Sequence, residues 1–187
     1  MKKFKKILAK KNRSKIICLT AYSKNIAEEV DKYADIVLVG DSLGSVLYNY
    51  SSTRKVTLTE MINHSKSVRL GVKKSLMVVD MPYKTYDTNV SALKNAKKII
   101  KETKCDAVKL EGGKKIINQV KFLMKNKIPV IAKCLALSSV IFENFDVKFA
   151  KNLNSVFLAE FIFIKNLPKI HSPTSKKTTP HCGVINS

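Results

Sequence analysis

Through the first 130 or so residues, apolar positions fall into two alternating kinds of block. Short runs with little polar interruption occur at 15–20 (KIICLT), 36–40 (IVLVG), 75–79 (SLMVV), 106–110 (DAVKL) and 128–131 (IPVI). Runs of this length read as strands covered on both faces. Between them the apolar residues recur at helical spacing. Segment 23–32 carries Ile26, Ala27 and Val30, segment 90–103 carries Val90, Leu93, Ala96 and Ile100, and segment 114–125 carries Ile116, Val120, Leu123 and Met124. Segment 57–70 opens with Thr57 and has Glu60 three positions on, a capping-box signature. Residues 2–11 place Phe4, Ile7 and Leu8 on one face, predicting a short basic helix that caps one end of a domain. Residues 45–55, rich in Ser and Tyr, break the pattern and are expected to be a loop forming a mobile cover over a site. Five strands alternating with helices predict an α/β fold with a parallel sheet.

Past residue 131 this rhythm stops. Segments 135–140 and 148–164 have helix-like apolar content without a placeable strand-turn-helix order. Residues 171–187 are rich in Ser, Thr and Pro and are predicted to be a disordered tail. Three regions follow: a basic N-terminal helix at 1–14, the main domain at 15–132, and a divergent segment with an irregular tail at 133–187.

Composition changes this picture little. At 187 residues and 45% apolar content the chain has enough material for one domain with a core. The formal charge of +21 suggests a nucleic-acid partner, but Arg occurs only at 13, 54 and 69. The lysines fall on predicted helix faces without interleaved aromatics, which reads as a solvated surface. Cys18, Cys105, Cys134 and Cys182 are scattered, so reduced thiols and a cytoplasmic location are expected. The basic start lacks a following apolar segment, and the longest apolar run, 156–164, is broken by Glu160, so neither secretion nor a membrane span is predicted. His171, His181 and Cys182 have poor spacing for metal ligands.

The candidate chemistry lies where strands stop. Three apolar runs end at an acid: Asp41, Asp80 and Glu111. In α/β folds, ligand sites lie at the carboxyl ends of strands. Lys109 and Glu111, two apart on one strand, face the same way, with Val108 and Leu110 facing the other. They form either a plain buried ion pair or, with Asp41 and Asp80 converging on them, part of a ligand site. Carboxylates without Cys or His partners suit a hard divalent cation such as Mg²⁺. Ser42 can donate to an anionic ligand, and Gly44, Gly112 and Gly113 let backbone come close. His64 is either a ligand or, more commonly for a single helical His, a packed or hydrogen-bonding residue.

LTAY at 19–22, VGDSLG at 39–44, ST..VTL.EM..H from 52 to 64, VVDMPY at 78–83 and KLEGG at 109–113 together resemble the ketopantoate (3-methyl-2-oxobutanoate) hydroxymethyltransferases. The resemblance covers about residues 15–130. It implies a (β/α)₈ barrel of TIM type, here incomplete with about five βα units recognisable. It further implies transfer of a hydroxymethyl group from 5,10-methylenetetrahydrofolate to 3-methyl-2-oxobutanoate, giving ketopantoate for pantothenate synthesis through a Mg²⁺-stabilised enolate. By the same likeness Asp41, Asp80 and Glu111 would serve Mg²⁺, Glu111 through water. Asp41, Ser42, Asp80 and Lys109 would contact the keto acid, and the assembly would be a homo-oligomer. The chain departs from the family at Ser23, where Asp is usual, and after Val130. There IAKCLALSS replaces a Gly-His and GLTPQS-like continuation, and Lys133 stands in the place of the histidine. The family's general base, a Glu on a later strand, has no matching position; Glu160 lacks the flanks. A frameshift or premature stop is the expected origin. The alternatives are an inactive fragment, a Mg²⁺-dependent carbon–carbon lyase of the same barrel superfamily, and a basic nucleic-acid binder.

Overall fold

The computed structural model describes residues 2–10, 13–133 and 156–157. Helix α1 (Lys2–Lys10) is followed by β1 (Cys18–Thr20), α2 (Lys24–Val30), β2 (Ile36–Val39), α3 (Leu43–Leu47), α4 (Leu58–Gly71), β3 (Leu76–Asp80), α5 (Asn89–Thr103), β4 (Ala107–Glu111), α6 (Ile117–Lys125), β5 (Val130–Lys133) and β6 (Val156–Phe157). The six strands form one parallel sheet in sequence order, so each crossover leads to the neighbouring strand. Among the described residues this is an arc of a TIM-type barrel, four βα units followed by two further strands, as the alternating pattern and the family resemblance together predict. Among the described residues the arc is open, with β1 and β6 at its edges.

Strand alternation divides the core in two. Val37, Val39, Met77, Val79, Val108, Leu110 and Val130 point outward and pack with Ala27, Met61, Val68, Ala92, Ala96, Ile99 and Leu123 of the helices. Cys18, Ile36, Leu38, Leu76, Val78, Ala107 and Ile131 point inward and meet Phe4 and Ile7 of α1. The basic helix therefore caps a domain end as expected, and it does so by plugging the inner face near the strand starts. Two lysines fasten it, Lys10 to Asp35 at 2.6 Å and Lys3 to the Ser75 carbonyl at 2.8 Å.

A repeated device sets the strand starts. The N–H of Asp35 donates to the Ile17 carbonyl (2.8 Å), and its carboxylate accepts from the Ile17 N–H (3.0 Å). Asp106 makes the same reciprocal pair with Met77, at 2.8 and 2.9 Å. Each aspartate thus closes the start of the neighbouring strand, satisfying a donor that burial would otherwise leave unpaired. Asp31, following α2, accepts from the N–H groups of Lys73, Lys74 and Ser75 ahead of β3. Burial pushes its carboxyl up, but these bonds outweigh burial and hold it below the usual carboxylate range.

Four details differ from the sequence reading. Residues 45–55 are not a plain loop: α3 occupies the start, and a 3₁₀ turn at Thr53–Lys55, capped by Ser52, occupies the end. β1 begins at Cys18, because the Ile17 N–H and C=O are already taken by Asp35. β5 lies at Val130–Lys133, later than 128–131, because Pro129 has no N–H for the ladder and serves it only through its carbonyl. The short β6 pairs Val156 with Val130, within the segment read as helix-like. The capping box at Thr57 and Glu60 is present, with both reciprocal bonds. Glu160, His171, His181, Cys134 and Cys182 lie outside the described residues.

Candidate active site

Register brings the charged residues together. Asp80 on β3 is the ladder partner of Lys109 on β4, and Val108 and Leu110 are turned to the helices, which sends Lys109 and Glu111 inward. The Lys109 ammonium lies 2.7 Å from Asp80 Oδ1 and 2.7 Å from Glu111 Oε1. Asp80 and Lys109 are almost wholly buried, at 5% and 4% exposure, whereas the Glu111 side chain is 39% exposed at the mouth. The buried ion pair is realised between Asp80 and Lys109, and Glu111 joins it from the same strand.

Asp41 joins through the turn after β2, its N–H donating to Asp80 Oδ2 at 3.3 Å. Gly40 makes this approach possible, since a Cβ there would stand 3.0 Å from Ser42 Oγ and 3.5 Å from Asp80 Oδ2. Ser42 Oγ shares a 2.7 Å hydrogen bond with the Tyr22 hydroxyl. Beyond β4, Gly112 has φ 149°, and a Cβ on it would meet Ile116 Cγ2 at 2.7 Å, so the chain turns away only with glycine there. The Tyr86 hydroxyl holds the Glu111 carbonyl at 2.9 Å.

The electrostatics follow. Burial pushes the Asp80 carboxyl up to about 6; Lys109 pulls it down, and Asp41 and Glu111 push it up again. Burial pulls the Lys109 ammonium down, but Asp80 and then Glu111 outweigh it, and its pKa ends above the usual lysine value. The two described thiols are inert: burial pushes Cys18 up to about 12 and Cys105 up to about 11. Two carboxylates, Asp80 and Glu111, share one ammonium, and Asp41 lies near enough to push the Asp80 carboxyl up; hard oxygen donors of this kind fit a divalent cation at Asp41 and Asp80. It does not make Glu111 a third direct ligand: its carboxylate pairs with Lys109, and among the described residues no three His, Cys, Asp or Glu gather closely enough to hold a metal ion.

His64 is not drawn to the acids. Its Nδ1 meets the Tyr22 carbonyl at 2.8 Å and its Nε2 the Tyr48 hydroxyl at 2.8 Å, so the hydrogen-bonding reading holds. Tyr22 was marked by the sequence only as the last residue of LTAY at the carboxyl end of the first strand, and Tyr86, six residues past β3, carried no signal. No helix among the described residues is long and apolar enough to cross a membrane.

The ketopantoate hydroxymethyltransferase family model matches residues 2–139. A 3-methyl-2-oxobutanoate hydroxymethyltransferase of Pelagibacter ubique (strain HTCC1062) is 68% identical over 130 residues, covering 70% of this chain and 51% of the relative. One from Anaplasma marginale (strain St. Maries) is 49% identical over 125 residues, covering 67% and 45%. The chain spans about half the length of the curated relatives it matches. Among solved structures, a 2,3-dimethylmalate lyase of the PEP mutase/isocitrate lyase superfamily superposes with TM-score 0.56 at 13% identity, covering 82% of this chain and 60% of the other. A phosphonopyruvate hydrolase in complex with oxalate and Mg²⁺ gives 0.56 at 10% identity, covering 72% and 52%. These likenesses establish the barrel fold alone.

Proposed function

This chain belongs to the ketopantoate hydroxymethyltransferase family, and on that premise we propose that its strand ends form the keto-acid and cation half of a hydroxymethyltransferase site. The reaction would move a one-carbon unit from 5,10-methylenetetrahydrofolate to 3-methyl-2-oxobutanoate, giving ketopantoate. The observation that carries the reading is the buried Asp80–Lys109–Glu111 ion triad beside the Asp41–Ser42 turn. Mg²⁺ would be held by Asp41 and Asp80, with Glu111 serving it through water. When bound, it would supply Lewis-acid polarisation of the substrate's carboxylate and keto oxygens. The similar phosphonopyruvate hydrolase was solved with Mg²⁺ and oxalate, a small carboxylate that offers two neighbouring oxygen donors.

The protein's own groups do the rest. Lys109, clamped by two carboxylates, stays an ammonium; it offers fixed positive charge to an oxygen that gains negative charge and is unsuited to act as a Schiff-base amine. Ser42 orients the carboxylate of the keto acid through its hydroxyl, itself fixed by Tyr22. Asp80 and Glu111 are engaged with Lys109, so proton abstraction from the substrate is assigned to neither. Assembly as a homo-oligomer belongs to the same reading.

Calorimetry of the purified chain with 3-methyl-2-oxobutanoate, with and without Mg²⁺, tests the site. Uptake that requires Mg²⁺ and is abolished by Asp80→Ala is expected, and absence of uptake overturns it. Adding the folate donor and following ketopantoate by mass spectrometry then separates transferase from inactive fragment. Cleavage of a carbon–carbon bond without folate would instead favour a lyase.

A further inference from the structure

We infer that His64 is a positioning residue: it grips α3 and thereby sets the Asp41–Ser42 turn for the keto acid. The inference rests on the site reading above and goes beyond it by assigning the arrangement of that turn to a side chain on a different helix. α3 has five residues, far too few to be stable alone. Its N-terminal neighbour Ser42 lacks a capping bond from its own side chain. Something outside must hold it.

Besides the burial of Leu43, two polar contacts do so, and they converge on one imidazole. At the start of α3, Ser42 Oγ is bonded to the Tyr22 hydroxyl at 2.7 Å. At its end, the Tyr48 hydroxyl meets His64 Nε2 at 2.8 Å, and the Tyr48 ring lies edge-on to the imidazole, 5.7 Å between centroids at 73°. His64 Nδ1 reaches the backbone carbonyl of Tyr22 at 2.8 Å, fixing the segment from which the Tyr22 side chain extends. A carbonyl only accepts, so Nδ1 carries the hydrogen, and Nε2 of that tautomer accepts from Tyr48. His64 on α4 thus ties the end of β1 to both ends of α3. Tyr48 is further stacked on Tyr50 (5.4 Å), whose hydroxyl donates to Glu60 on α4 at 2.7 Å. The bracket stands on α4, whose buried residues Met61, Ile62, Ser65 and Val68 anchor it.

Both nitrogens of His64 are occupied, and neither Asp41 nor Asp80 is among its partners, so its action on the site passes through Tyr22 and α3. The test is the Kd of 3-methyl-2-oxobutanoate with Mg²⁺, measured on full-chain variants whose folding is checked by thermal melting. His64→Ala should weaken binding about tenfold, the loss of about one well-made hydrogen bond. His64→Asn, whose amide N–H can replace Nδ1–H at the Tyr22 carbonyl, should bind within about threefold of the parent. The double variant Tyr22→Phe/His64→Ala should lose clearly less than the sum of the two singles, because the two share the Tyr22 arm. Unchanged affinity in His64→Ala, failure of Asn to rescue, or additive losses would each overturn the inference. If the parent takes up no keto acid, the site reading fails, and the amide chemical shifts of Asp41 and Ser42 decide this inference separately. Shifts displaced in the same direction by His64→Ala and Tyr22→Phe support it; shifts unmoved by His64→Ala refute it.

Discussion

At the strand starts Asp31, Asp35 and Asp106 accept hydrogen bonds from backbone N–H groups, whereas at the strand ends Asp80 has an ammonium on one oxygen and a 3.3 Å backbone contact on the other. The same side chain therefore does different work at the two ends. Backbone donors are fixed and carry no net charge, so a carboxylate they satisfy is locked in its ionised form, as Asp31 is. Burial raises the Asp80 pKa, and the Lys109 ammonium that opposes it is shared with Glu111 while Asp41 lies near, so the carboxyl stays above its usual value. A carboxylate stabilised by the chain's own backbone belongs to the scaffold. One left with surplus negative charge can receive a cation.

The comparison is broken most severely at Lys109. Lys109→Met should cost about 3–5 kcal/mol in urea unfolding, since it strands Asp80 in the interior. Lys109→Met/Asp80→Asn should recover much of that loss, yet bind no keto acid. Recovery of binding would show that the triad is scaffold.

Asp31→Ala should cost about 2–3 kcal/mol, because three backbone N–H groups lose their acceptor. Keto-acid affinity should stay unchanged. A large affinity loss would erase the distinction between the ends.

Acid titration sharpens the contrast through its sign. The Asp80 carboxyl is raised above its unfolded value to about 6, so the folded chain binds the extra proton, and its contribution to stability is full below pH 4 and lost as pH rises towards 6. The Asp31 carboxyl is depressed, so its contribution is present above pH 4 and lost below. Melting temperatures measured from pH 3 to 7 should therefore respond to Asp80→Asn in the upper part of this range and to Asp31→Asn in the lower part. Interchanged responses would contradict both assignments.

The smallest effect is expected at α1. Lys10→Ala removes the pair with Asp35 from a lysine side chain one-third exposed, and about 0.5–1 kcal/mol is expected from denaturant midpoints. A larger loss would mean that the plug, and not the Asp35 backbone bond, secures the start of β1.

Much of this was legible in the chain. Runs such as LMVV and AVKL name strands covered on both sides, and an acid that ends such a run marks the strand end as a candidate site. Fold class, the acidic strand ends and the shared face of Lys109 and Glu111 all follow from one-dimensional spacing. Less was legible where the cause was non-local. α3 is too short for a periodic signal and is held by Tyr22 and His64, 20 and 16 positions from their partners. The start of β5 was misjudged because an apolar count ignores the N–H that Pro129 lacks.

What the sequence determined by itself, then, was an alternation of apolar blocks, and with it a parallel α/β sheet with acids at its strand ends, because strand and helix periods are properties of neighbouring residues. The tertiary structure alone decided that the Lys109 ammonium sits between Asp80 and Glu111, that Asp41 reaches Asp80 across a glycine turn, and that α1 fills the inner face. Those outcomes depend on ladder register and on distances between residues far apart in the chain, which the order of residues does not state.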